Sequence, residues 1–118
     1  MKVTVYHNPR CSKSRATLEL LQQRGLEPDV VKYLETPPDA SELRQLARKL
    51  ELQPKAFLRT GESAWKAFGL DPEAVNAAEL LQLMSEYPIL IERPIVVCGE
   101  RARIGRPPEA VLEIVAGS

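Results

Sequence analysis

The chain has 118 residues, 44% hydrophobic and 27% charged, with 16 Lys and Arg offset by 16 Asp and Glu. That length suits a single domain, and a formal net charge of zero excludes the broad electrostatic footprint of a nucleic-acid or anionic-membrane binder. No run approaches the roughly 20 apolar residues that span a bilayer, and the alternating start Met1-Lys2-Val3-Thr4-Val5-Tyr6 lacks the apolar region of a signal peptide, so a cytoplasmic location is expected.

Val3 and Val5 alternate with Thr4 and Tyr6, which predicts a strand over Met1 to Tyr6. His7-Asn8-Pro9-Arg10 breaks it. Ser12 to Arg24 reads as an amphipathic helix carrying Leu18, Leu20 and Leu21, stopped by Gly25. Asp29 to Leu34 is a second strand, so the first 34 residues form a β-α-β unit whose strands should run parallel. Thr36-Pro37-Pro38-Asp39 then interrupts the pattern. A helix follows with Leu43, Leu46, Ala47 and Leu50 on one face, capped by Asp39 or Ser41. Short helical pieces are expected near Pro54 to Leu58 and Ser63 to Phe68, and a longer helix from Asn76 to Glu86. Trp65 and Phe68 read as core.

Pro94-Ile95-Val96-Val97-Cys98 returns to strand, and Gly99-Glu100 turns it into Arg101 to Ile104 as a hairpin. Pro107-Pro108-Glu109 opens a last helix to about Val115. The expected fold is α/β: a thioredoxin-like four-stranded mixed sheet (residues 1–35 and 93–118) with a helical insertion (36–92), all one domain. Nothing in the sequence calls for an obligate oligomer, and a monomer is expected.

The chemistry concentrates at Tyr6-His7-Asn8-Pro9-Arg10-Cys11-Ser12-Lys13-Ser14-Arg15. Cys11 falls at the start of a helix, where unpaired amides and the helix dipole favour a thiolate. Arg10, Lys13 and Arg15 lie close in sequence, and the Ser14 hydroxyl could donate to the thiolate or to a bound oxyanion. The competing reading, a cysteine serving as a small buried hydrophobe, fits this position poorly. Asn8 could fix the loop through side-chain hydrogen bonds to backbone. His7, the one histidine, either orients Cys11 or is structural. A dithiol redox motif would need a second cysteine at residue 14, where Ser14 stands. The Cys-x5-Arg arrangement of protein phosphatases fails too, because Thr17 occupies the arginine position. Cys98 sits in an apolar strand run and reads as core. With two cysteines and one histidine, the chain is poorly supplied for zinc, and no metal or bound cofactor is expected.

His7-Asn8-Pro9-Arg10-Cys11, Ser14-Arg15, Tyr33 to Pro38, Glu92-Arg93-Pro94-Ile95-Val96-Val97 and Ile104-Gly105-Arg106-Pro107-Pro108 together resemble the glutathione- and glutaredoxin-coupled arsenate reductases. The likeness is to a short branch without the C-terminal tail, and it spans nearly the whole chain. It implies that Cys11 is the nucleophile, that Arg59, Arg93 and Arg106 bind the oxyanion, and that Pro94 is a cis-proline beside the cysteine. Three guanidinium forks would offset the desolvation of a tetrahedral dianion with directional hydrogen bonds. It further implies arsenate as substrate, glutathione as co-substrate and glutaredoxin as partner. The reaction then runs through a Cys11 thiol-arsenate adduct and a mixed disulfide with glutathione.

Two other readings share the fold. One is a glutathione-dependent thiol oxidoreductase acting on another substrate. The other is an Spx-type redox-sensing transcription regulator that binds RNA polymerase; such proteins typically carry Cys-x-x-Cys and lack an arginine equivalent to Arg106, so Ser14 and Arg106 argue against it.

Overall fold

In a computed structural model that describes residues 2–115, the chain divides into two units, residues 1–36 with 93–118 and residues 37–92. The first unit contains a four-stranded sheet in the order β2-β1-β3-β4, formed by β1 (Val3–Tyr6), β2 (Asp29–Val31), β3 (Ile95–Cys98) and β4 (Arg101–Ile104). Strands β1 and β2 pair parallel, while β1–β3 and β3–β4 pair antiparallel. Helix α1 (Ser12–Gln23) makes the crossover from β1 to β2, and Gly25 ends it with a φ of 79°. That left-handed conformation suits a residue without a Cβ. Met1, where the predicted first strand begins, lies outside the described residues.

One face of this sheet is dry. Val3, Val5 and Val96 meet Leu21 of α1 and Val111, Ile114 and Val115 from the chain's end. The α1 leucines behave differently from the prediction. Leu21 is buried with Ser14 and Thr17, whereas Leu18 and Leu20 are only partly covered. Residues 14, 17 and 21 follow the three-and-four spacing of one helix stripe, so the covered face starts with two hydroxyls. Two other elements are shorter or tighter than predicted. Strand β2 stops at Val31, because the Lys32 carbonyl receives the amides of both Glu35 and Thr36 and turns the chain. The last helix begins as a 3-10 turn over Pro108–Val111 before α5 (Leu112–Val115), with Pro107 ahead of it in extended conformation.

The second unit is helical. Asp39 caps α2 (Ala40–Leu50) by accepting from the Glu42 amide at 2.8 Å, an interaction worth about 1 kcal/mol. Leu43, Leu46 and Leu50 form its buried stripe, which packs against α4 (Ala77–Glu86) through Leu80, Leu81 and Met84. Asn76 caps α4 in the same way. Between them lie a 3-10 turn at Pro54–Phe57 and the short α3 (Ser63–Lys66). Trp65 is buried and meets Phe68 edge-on, with ring centroids 5.9 Å apart. Among the described residues no helix is long and apolar enough to cross a membrane.

Candidate active site

The loop that leaves β1 is built largely by Asn8. Its side-chain oxygen accepts from the Arg10 amide at 3.0 Å, and its carbonyl accepts from the Cys11 amide at 3.0 Å. Its own amide donates to Ser14 Oγ at 3.0 Å, and that oxygen lies 2.8 Å from Nδ1 of the buried His7. Arg15, by contrast, is exposed and sends its guanidinium to the Pro9 carbonyl at 2.9 Å. Asn8 thus fixes the loop as its residue type suggests, and Arg15 braces it from outside.

Cys11 is the N-cap residue of α1, in extended conformation and 8% exposed. Burial pushes its thiol pKa up, yet the net shift is downward from the ordinary 9.0. The opposing influences are, in order, the Ser14 amide, the Arg93 charge, the Lys13 amide and the Arg106 charge. The sulfur closes no capping hydrogen bond of regular geometry, so the two amides act as oriented dipoles at a helix start. This corrects the sequence reading in two respects. Ser14 serves the sulfur through its backbone, its hydroxyl being turned to His7 and Asn8. The two cations are Arg93 and Arg106, which the family resemblance already implies as partners of the thiolate, and not the sequence neighbours Arg10, Lys13 or Arg15.

Those two arginines are physically linked. Arg106 donates from Nε to the Arg93 carbonyl at 2.9 Å and from Nη2 to Cys11 Sγ at 3.7 Å. Arg93 is half-buried, with Nε and Nη1 covered, and the Arg93–Pro94 bond is cis as the resemblance implies. A second cis bond, Arg106–Pro107, was not foreseen. The structure therefore gathers Cys11, Arg93, Arg106, His7, Asn8, Ser14 and Pro94 within the first unit. Arg59 belongs to the second unit, where its guanidinium pairs with Glu62 and lies 3.8 Å from Glu92.

Burial lowers the pKa of His7, assisted by the charges of Lys32 and Arg15. The neutral imidazole is favoured, and its Nδ1 faces Ser14 Oγ at 2.8 Å. Cys98 stands opposite Val3, at the start of β1, whereas Cys11 follows the other end of that strand. Three residues of strand separate those ends by about 10 Å, beyond the span of a disulfide. Gly105 and Thr17 are buried in the same neighbourhood. The sequence reading gave Gly105 no role, and Thr17 only a negative one.

A parallel β-α-β start with a hairpin added antiparallel to it defines a thioredoxin-like protein, here with one cysteine at the start of the first helix. The ArsC family model matches residues 6–114, and the chain belongs to the ArsC family. It is 51% identical over 115 residues to the uncharacterised Escherichia coli K12 protein YfgD, covering 97% of each chain. It is 46% identical to an arsenate reductase of Haemophilus influenzae, covering 98% of this chain and all of that one. Among solved structures it superposes on an arsenate reductase from Vibrio cholerae with a TM-score of 0.93 and 50% identity, covering 97% of this chain and 98% of that one.

Proposed function

We propose that this chain is an arsenate reductase that forms a covalent adduct through Cys11 and draws its electrons from glutathione and glutaredoxin. The observation that carries this reading is the sulfur of Cys11 at a helix start, 3.7 Å from Arg106 Nη2 and with its pKa drawn below the ordinary thiol value. A guanidinium at that distance can pair with the thiolate before substrate arrives and with an arsenate oxygen afterwards. Full-length relatives named as arsenate reductases support the choice of oxyanion.

In this mechanism Arg93 and Arg106 hold the arsenate oxygens while the Cys11 thiolate attacks arsenic. A sulfur–arsenic bond forms and an arsenic–oxygen bond breaks, the oxygen leaving as water after protonation. The thiolate of glutathione then attacks the Cys11 sulfur. A disulfide forms, the sulfur–arsenic bond breaks, and its electron pair stays on arsenic, which departs as arsenite. Glutaredoxin takes the glutathione from Cys11 by thiol exchange. An external thiol fits the residues present, since Ser14 replaces a nearby resolving cysteine and Cys98 stands at the other end of the sheet. Arg59 enters this scheme as a third oxyanion ligand through the family resemblance alone.

The test is arsenate-dependent NADPH oxidation in the presence of glutathione, glutaredoxin and glutathione reductase, with arsenite measured directly. Turnover that disappears in Cys11→Ser supports the reading. Absence of arsenite formation by the unaltered protein removes arsenate as the substrate.

A further inference from the structure

Gly105 occupies the point where the end of β4, Pro94 and α1 converge. Its backbone is not in the left-handed region, so the missing side chain answers a need for space, not for conformational freedom. A Cβ at this position would lie 2.5 Å from Thr17 Oγ1, 2.7 Å from Pro94 Cγ and 3.3 Å from Pro94 Cδ. The Pro94 Cγ distance is far inside the roughly 3.5–4.0 Å optimum for carbon contacts, and the approach to Thr17 Oγ1 is shorter still.

Neither neighbour can readily step aside. Thr17 is fully buried, and its hydroxyl donates to the Lys13 carbonyl at 2.8 Å. Its branched Cβ restricts the alternatives open to that hydroxyl. Pro94 is a buried ring, and its carbonyl accepts the Gly105 amide at 2.9 Å. The bare Cα is therefore clamped between the helix that begins at Cys11 and the proline that follows Arg93. The next residue is Arg106, whose guanidinium spans the Arg93 carbonyl and the Cys11 sulfur.

We propose that Gly105 is a positioning residue for this thiol–guanidinium pair. Because Thr17 and Pro94 occupy the space a side chain here would need, the absence of one sets how near the β4 end approaches α1, and with it how far Arg106 must reach. Thr17, a buried polar group on α1, is the helix-side half of the device. The proposal rests on the reading of Cys11 and Arg106 as the reacting thiol and an oxyanion ligand. A displacement on the order of 1 Å at a reacting pair can cost about 100-fold in rate, the scale expected if the spacing is lost.

The experiment uses Gly105→Ala, Arg106→Ala, their double variant and Gly105→Ala/Thr17→Ala. Each is followed by the pH profile of Cys11 alkylation with iodoacetamide, by arsenate KM and kcat, and by melting temperature. In Gly105→Ala the alkylation midpoint should move upward toward that of Arg106→Ala, and KM for arsenate should rise by about 10-fold or more. On the Arg106→Ala background the same change should alter the midpoint little, because the group it positions is gone. Removing Thr17 Oγ1 should return part of the lost effect. A lowered melting temperature with unchanged midpoint and KM would overturn the proposal, as would full additivity with Arg106→Ala. If Gly105→Ala does not fold, Gly105→Ala/Thr17→Ala carries the same comparison with one obstructing atom removed. Alkylation needs no arsenate, so a shifted midpoint in a chain that never reduces arsenate supports the positioning role and rejects only the substrate.

Discussion

The first unit buries His7, Ser14 and Thr17 among its apolar residues, whereas the buried residues of the second, from Pro38 to Ile91, are apolar or aromatic. An imidazole or hydroxyl taken out of water costs stability unless it finds a partner. In the first unit it does: Ser14 Oγ meets Asn8 and His7, and Thr17 Oγ1 meets the Lys13 carbonyl. What those polar contacts secure is shape, a loop that presents Cys11 at a helix start. The second unit spends its interior on hydrocarbon packing. The same kind of substitution should therefore have different consequences in the two regions.

The sharpest contrast comes from removing a charge in the first unit. Arg93→Ala should lower arsenate kcat/KM by about 100- to 1,000-fold, while urea denaturation changes much less. A drop in stability large enough to account for the activity would break the distinction. The converse change is Leu43→Ala in α2, a fully buried leucine. It should cost about 2–5 kcal/mol in urea denaturation and leave the alkylation midpoint of Cys11 where it was.

A smaller effect belongs to His7. Its folded pKa lies below the ordinary 6.5, so as pH falls past 6.5 the unfolded chain takes up a proton that the folded chain resists. His7 thus lowers stability progressively through the window between 6.5 and its folded pKa. Urea midpoints at pH 7.5, 6 and 5 should fall more steeply for the natural protein than for His7→Gln. Equal slopes would mean that burial of the imidazole has no energetic consequence.

Much of the fold was legible because its signals are local. The alternation of Val3 and Val5, the glycine stop at Gly25 and the cap at Asp39 all act within a few residues, and each element appears where they put it. Cys11 was found for the same reason: strand, break and helix start adjoin it. The short β2 was missed because the turn after Lys32 depends on two amides sharing one carbonyl, which periodicity cannot express.

Long-range features left weaker traces. Arg106 stands 95 residues from Cys11, and only the resemblance of its flanking motif drew attention to it. Proximity in sequence pointed instead to Arg10, Lys13 and Arg15 as the stabilising cations. Those side chains leave the exposed start of a helix, while strand pairing brings the ends of β3 and β4 to the thiol. Gly105 carried no signal that a count of turn residues would weigh, since its demand is for space that exists only after the sheet and α1 have met.

The measurement closest to the centre of this account is the pH dependence of Cys11 alkylation, followed by mass spectrometry so that Cys98 is scored separately. A midpoint below 9.0 that rises in both Arg93→Ala and Arg106→Ala is the predicted result. A midpoint at or above 9.0, or one that ignores both arginines, would contradict the claim that helix-start amides and two distant arginines outweigh burial at this thiol.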